Sequence, residues 1–407
     1  MILPQLPKRG SHKHHQKLLN RLLFTILLSL TLTVSFAQKK EIATARDQVK
    51  KGTNLQQAEN SMLKLLENPA NRGNEKIYRL LNLSIQKQYT QLNEKMYLKQ
   101  SVDSANVFLT LNRAFNYALM TDSVLKDERK RNEEFLLRYV SNLYVGGIYL
   151  FRKEKYADAY ALLDTYLTCR EHPIFADYKQ EMLHEEPAAF RALCCGYRLD
   201  DMQKTLKYRA QALSYKPGNL VALKYLAETY QKSDSTFNDY VKTLDVGFAT
   251  YPCEEYFFTR SLNIYMSNQK QEEALALTDK ATGACPQNLV YRYARAHLLL
   301  SMERFPESII AADSALALSD SIADCYYIAG IANVYMAEQL KDKAVKDKAL
   351  KKKMLEYYSN AQPYMEKYRK REPARKDKWG SPLYNIYLNL NKGKEFDEIS
   401  KVLRWVL

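Results

Sequence analysis

The chain reads as an all-α solenoid of helical hairpins, and three observations predict it. Ala212, Gly247, Ala281 and Ala315 place a small residue at one phase, at intervals of 35, 34 and 34 residues. Five residues after each comes Pro217, Pro252, Pro286 or Asp320, so turn punctuation travels with the packing residue. Only 12 Gly and 12 Pro interrupt 407 residues that are 46% hydrophobic and 26% charged, a composition that favours long helices and a large core.

Taken in order, residues 1–37 form a separate segment. Lys8, Arg9, Lys13, Lys17 and Arg21 precede an apolar run from Leu22 to Val34, then Ser35-Phe36-Ala37 and Gln38. That is the layout of a secretory signal peptide, with small residues where the peptidase must admit them, and predicts cleavage before Gln38. An uncleaved anchor is the alternative, but the run is shorter than the roughly 20 residues of a spanning helix. The expected localisation is the periplasm or cell envelope.

N-terminal helical hairpins are expected over 38–120. Ile42 to Leu65 reads as helix, break at Gly52, helix, and two longer helices follow at Glu75 to Gln91 and Glu94 to Met120. The polar stretch that follows predicts an irregular connection over 121–139. Regular repeats fill 140–321, opening with Leu143, Gly147, Tyr156, Ala159 and Leu163, with an insertion around His172 to Pro187. A repeat stretched by a basic insertion covers 322–376: Pro373 lies 87 residues after Pro286 where two repeats would take 68. A capping hairpin is expected over 377–407, from Pro382 with Gly393 at the bend.

These phases resemble the tetratricopeptide repeat, most closely at Asn288 to Ser319, where Ala296, Leu299, Phe305, Ser308, Ala312 and Ala315 fall at the family's packing positions. The family's signature tryptophan is absent, and residues around Tyr225 to Tyr251 add length between the helices. The resemblance spans about Ile42 to Leu403. It implies a right-handed superhelix of hairpins whose first helices line a concave groove, used as a scaffold for peptides or partner proteins. Leader and repeats together also resemble exported tetratricopeptide-type proteins of the Bacteroidetes, among them glycan-binding lipoproteins. Those begin at a lipidated cysteine, and this chain would begin at Gln38.

An aromatic recurs at one phase of the first helices: Tyr144, Phe190, Tyr225, Tyr293 and Tyr327, with Thr259 in the remaining copy. By the resemblance this phase faces the groove, and Asn263 and His297, one turn further on, join it. Packing between neighbouring helices is the alternative reading of the same rings.

Without the leader the chain holds 56 Lys and Arg against 46 Asp and Glu, a net of +10, and residues 341–378 hold 14 against 6. Lys351, Lys352, Lys353, Arg369, Lys370 and Arg371 form the candidate basic surface, interleaved with Tyr357, Tyr358, Tyr364 and Tyr368. For an exported protein the anionic partner would be a glycan, a membrane surface or an acidic protein rather than nucleic acid. A solvated helix face with Asp342, Asp347 and Glu356 as counter-charges is the alternative.

The cysteines, Cys169, Cys194, Cys195, Cys253, Cys285 and Cys325, have no metal-site spacing and are expected as buried, unpaired thiols; Cys253 and Cys285 are the one pair to test. His172, His184 and His297 lie far apart, and no HExxH, GxSxG or phosphate-binding loop occurs. Ser61-x-x-Lys64 and Ser84-x-x-Lys87 match a penicillin-binding motif by four letters only. No catalytic residue, metal or cofactor is therefore assigned. The function expected is a non-catalytic scaffold for a protein or peptide partner, the alternative an envelope-associated carbohydrate- or anionic-surface-binding module.

Overall fold

The computed structural model describes residues 38–180 and 182–404; the expected leader and its cleavage point lie outside the described residues. Every regular element among them is helical. In order these are α1 (38–51), α2 (Leu55–Leu66), α3 (Glu75–Tyr97), α4 (Ser104–Thr121), α5 (Arg129–Arg152), α6 (Tyr156–Glu171), α7 (Glu185–Arg198), α8 (Met202–Lys207), α9 (Arg209–Ser214) and α10 (Asn219–Tyr230). There follow α11 (Phe237–Thr250), α12 (Glu255–Ser267), α13 (Gln271–Ala284), α14 (Leu289–Ser301), α15 (Phe305–Leu316), α16 (Ala323–Glu338), α17 (Lys341–Ala344), α18 (Lys348–Arg371), α19 (Lys376–Asn389) and α20 (Gly393–Arg404). The chain divides into two compact units, one up to Ala222 and one from Leu223 onward.

Within each unit helices pack in chain order, as a solenoid requires. In the first, α5 packs on α6 and α6 on α7, with further contact between α4 and α6 and between α5 and α7. In the second, α11 through α16 pack successively, α14 also touches α16, and α18, α19 and α20 continue the series. Short connections join the consecutive helices of each series into hairpins.

The small residues sit where helices cross. Ala212, Ala281 and Ala315 are fully buried, and a Cβ on Gly247 would lie 2.3 Å from Cε1 of Phe257 on the next helix. All six packing positions of the clearest repeat are buried, from Ala296 to Ala315. Ser308, where alanine is commoner, donates its hydroxyl to the Ala296 carbonyl across the hairpin at 2.9 Å, satisfying a polar atom that burial would otherwise penalise. Gly196 on α7 makes the tightest approach to backbone: its Cβ would lie 2.4 Å from the Thr205 nitrogen on α8.

The turns within hairpins use a device absent from the sequence reading. Glu154, Asp200, Gln269, Glu303 and Asn391 each take positive φ, between 54° and 59°. After each, the next amide reaches back to a carbonyl five residues earlier: Lys155 to Leu150, Asp201 to Gly196, Lys270 to Tyr265, Arg304 to Leu299 and Lys392 to Tyr387, at 2.9–3.0 Å. This is the Schellman closure, which satisfies orphan carbonyls of the first helix and turns the chain into the second.

Three expectations are corrected. The break between the two longer helices falls after Tyr97, not before Glu94, because Lys99 takes positive φ and Asp103 caps α4 by accepting the Ala105 amide at 3.0 Å. The irregular connection expected over 121–139 is shorter, since α5 begins at Arg129; its charged start is the solvent side of a helix that buries Leu136, Val140, Leu143 and Gly147. Pro382 lies inside α19 rather than opening the last hairpin, and Gly393 begins α20, the bend being made at Asn391. The extra length near residue 350 is taken up by α17 and the 24-residue α18.

Cysteine pairing is the fourth correction. Cys253 and Cys285 form a disulfide, while Cys169, Cys194, Cys195 and Cys325 are free and buried. The bond joins the turn after α11 to the turn after α13, so it ties both ends of the α12–α13 hairpin. Tyr291 reinforces it, donating its hydroxyl to the Pro252 carbonyl at 2.9 Å with its ring 4.4 Å from that of Phe258. Burial pushes the Cys194, Cys195 and Cys325 thiols up to about 12, leaving them protonated and poorly nucleophilic.

Gly196→Ala should destabilise the first unit, because overpacking against backbone costs about 1–3 kcal/mol while the gain in helix propensity is about 1 kcal/mol. Equal or higher stability in denaturant titration would mean that α8 slides away freely. For the cysteines, thiol titration of the denatured chain should find four reactive groups before reduction and six after; six before reduction would disprove the bond. Closing a 32-residue separation is worth about 3–4 kcal/mol by chain entropy, so Cys253→Ser should lower the melting temperature measurably.

Candidate functional site

The seven groove candidates all fall on first helices of hairpins: Tyr144 on α5, Phe190 on α7, Tyr225 on α10, Asn263 on α12, Tyr293 and His297 on α14, and Tyr327 on α16. Tyr144 and Phe190 belong to the first unit and the other five to the second. The five aromatic rings are half-buried, whereas Asn263 and His297 are exposed.

Their surroundings differ. One face of Tyr144 is covered by His184, stacked at 4.3 Å with an interplanar angle of 14°, and Tyr166 lies 5.8 Å away. Phe190 packs on Tyr215 at 5.4 Å and against Gly218, where a Cβ would lie 2.6 Å from the ring. These two rings serve local packing. In the second unit Tyr293 rests on the core made by Ala312, Ala315, Cys325 and Ala329, with His297 6.0 Å from its ring. Tyr327 packs on Tyr368 at 5.2 Å and carries the Lys378 ammonium at 4.9 Å. Desolvation raises the pKa of both hydroxyls, Tyr293 and Tyr327, so they remain neutral donors through the physiological range. Tyr293 and Tyr327 are thus half-buried rings anchored by packing.

The basic surface separates into two kinds of residue. Arg369 pairs with Glu398 at 2.7 Å and lies over Trp379 at 5.0 Å; Arg371 pairs with Asp320 at 2.9 Å and lies over Tyr326 at 5.4 Å. Both arginines tie α18 to its neighbours. Lys351, Lys352, Lys353 and Lys370 are exposed. The three consecutive lysines fan around the second turn of α18 at about 100° per residue, so they do not share one face. Asp347 offsets them by capping that helix, its carboxylate accepting the Ala349 and Leu350 amides at 2.8 and 3.2 Å.

The residues weighed for chemistry hold structural positions. Ser84 is fully buried and donates its hydroxyl to the Leu81 carbonyl at 2.8 Å, while Lys87 donates to the Val49 carbonyl at 2.7 Å, so the pair forms no nucleophile and base. His172 accepts the Ile174 amide at the start of a short 3-10 turn, and His184 covers Tyr144. Among the described residues no group of three or more His, Cys, Asp or Glu is placed to hold a metal ion, and no helix is long and apolar enough to cross a membrane.

The sequence reading missed a cleft at the turn end of the second unit, lined by Leu300, Ser301, Glu303, Phe305, Tyr335, Glu338 and Gln339. Its residues sit at helix ends, out of phase with the 34-residue pattern of mid-helix positions. The 34-residue spacing of Gln269 and Glu303 was the available signal, since it marks equivalent turns.

No family model matches the chain, and no curated protein is similar to it. Among solved structures, it is similar to the C-terminal part of a TPR repeat-containing protein from Cytophaga hutchinsonii, with 14% identity over 63% of this chain and 93% of that one and a TM-score of 0.38. It is also similar to MamA, with 17% identity, coverage of 47% and 91% and a TM-score of 0.31. A third is the TPR2AB domain of yeast Sti1 in complex with pHSP90, with 14% identity, coverage of 62% and 97% and a TM-score of 0.24.

Proposed function

We propose that the chain is an exported, non-catalytic scaffold that holds a protein or peptide partner on the first helices of its hairpins. The observation that carries this reading is the series on α12, α14 and α16, where exposed Asn263, the Tyr293 and His297 pair, and Tyr327 recur at the repeat interval. Half-buried rings seated on a core have already lost their rotamer freedom, so a partner that reaches them meets little ordering cost. Their neutral hydroxyls supply directional hydrogen bonds beside apolar area. Export to the periplasm or envelope is supported by the leader and by the Cys253–Cys285 bond, which persists in an oxidising compartment.

Tyr293→Ala combined with Tyr327→Ala should abolish crosslinked capture of a partner from envelope extract by the chain from Gln38 onward. Because Tyr327 also packs on Tyr368, the exposed pair Asn263→Arg and His297→Glu provides a second variant that leaves the core alone. Capture undiminished in both variants, with melting unchanged, rejects the groove.

The second reading, an envelope-associated module that holds an anionic glycan or membrane surface, draws on the exposed lysines at 351–353 and 370. Retention on vesicles containing anionic lipid should then fall steeply between low salt and about 0.5 M, and be lost when these four lysines become alanine. No retention at low salt would eliminate it.

A further inference from the structure

We propose that the cleft between the ends of α14 and α16 captures a lysine or arginine side chain of a protein partner. This is a site separate from the tyrosine series. The cleft is open to solvent and holds about 520 Å³, and its residues divide by chemistry. Leu300 and Phe305 make an apolar floor, with Phe305 only 5% exposed. Tyr335 stands beside Phe305 at 5.5 Å between ring centroids and leaves 40% of its surface open. Glu303 and Glu338 supply two carboxylates, and Ser301 and Gln339 complete the polar rim.

The arrangement is specific to a cation with an apolar stem. An aliphatic stem lies along Leu300 and Phe305 as it does on any apolar surface, while the charged head meets the open Tyr335 ring and the carboxylates. Glu338 follows Tyr335 by three residues on α16, so carboxylate and ring stand on one side of the helix, one turn apart. Glu303 is the left-handed residue of the α14–α15 turn, its backbone fixed by the Arg304-to-Leu299 closure at 2.9 Å. Asn385 donates to Oε1 of Glu338 at 3.2 Å, which orients that carboxylate and leaves Oε2 for a ligand.

None of the described residues lining the cleft already fills the role. No lining residue is basic, in a protein whose charge is strongly positive. The neighbouring cation, Arg304, is committed to Glu307 at 2.6 Å. An open rim admits a side chain projecting from a larger molecule, which is why a polypeptide rather than a free small cation is the assigned occupant.

Saturation-transfer NMR on protein expressed from the full sequence tests this with N-acetyl-arginine amide, N-acetyl-lysine amide, uncharged N-acetyl-citrulline amide and choline. Arginine and lysine amides should bind, and citrulline amide should bind at least tenfold more weakly. Choline, lacking the long stem, should be weaker than either. Glu303→Gln with Glu338→Gln should lose at least tenfold in affinity for the arginine amide. Tyr335→Leu, which keeps the apolar area, should lose about two- to fivefold, the range of an exposed cation–π contact. All three positions lie at the surface or rim, so melting should be unchanged, and Tyr293→Ala should leave binding intact. The proposal fails if no saturation transfer occurs, if citrulline amide matches arginine amide, if choline binds more tightly, or if the double variant binds as the parent does.

Discussion

Everything in this architecture depends on how closely one helix can approach the next. Helices pack at 8–10 Å according to the side chains at the crossing, and here the crossings are reserved for residues with little or no side chain. Gly247 faces Phe257, and Gly330 on α16 faces Met365 on α18, where a Cβ would lie 2.5 Å from the sulfur. The partner in each case is large. The small residue therefore does more than permit contact: it forms the socket for a bulky neighbour, and the pairing fixes helix register. Because each hairpin is too thin to bury its own apolar faces, that register passes from one hairpin to the next.

α16 shows the consequence. It buries Cys325, Tyr326, Ile328, Ala329, Ile331, Ala332 and Val334, positions that go all round the helix, as expected of an element enclosed by others rather than one lying on a surface. One side joins the core with α14 and α15, and the other joins the core with α18 and α19. The solvent-side polarity that α16 lacks is carried by α18, where exposed Lys352 and Lys370 lie opposite buried Met354, Tyr358, Ala361, Met365 and Tyr368 and Lys351 and Lys353 flank that stripe. High local charge and a large core thus come from one helix seen from two sides. Arg369 and Arg371 show why counting charges overstates a free basic surface, since each is held by a carboxylate and an aromatic ring.

The helical class and the repeat phase were legible because close packing leaves a periodic mark: Ala281 and Ala315 are small for the same steric reason, and both are fully buried. The hairpin turns were harder to read. Left-handed turn residues are usually glycine, as at Gly52, which was legible; in five later turns they are Glu154, Asp200, Gln269, Glu303 and Asn391, ordinary polar residues on any reading of composition. Their strain is offset by the backbone closures they permit. The start of α5 was obscured in the opposite sense, by charges that look like a loop. Glu59 illustrates the limit further: it reads as a surface charge, but only 1% is exposed. Its carboxylate accepts from Gln88, Gln56, Arg113 and Tyr117 at 2.9–3.3 Å, donors drawn from three helices. A buried carboxylate survives only with such a set of donors, and a set assembled across 58 residues of chain leaves no local pattern.

The candidate site was legible for a related reason and only to a matching extent. Tyr293 and Tyr327 recur because the repeat recurs, and the same periodicity that reveals them also explains their packing. A ring at a repeated crossing has to serve the core before it can serve a partner. Tyr144 and Phe190 are spent in this way, on His184 and on Gly218. In the second unit Tyr293 and Tyr327 are likewise half-buried, but the same set of helices also carries exposed His297 and Asn263 at the repeat interval. On the scaffold reading proposed above, recognition would be carried by the departures from the packing consensus rather than by the consensus itself. Thr259 among tyrosines is such a departure, the place where one copy differs from its neighbours in the side chain it presents.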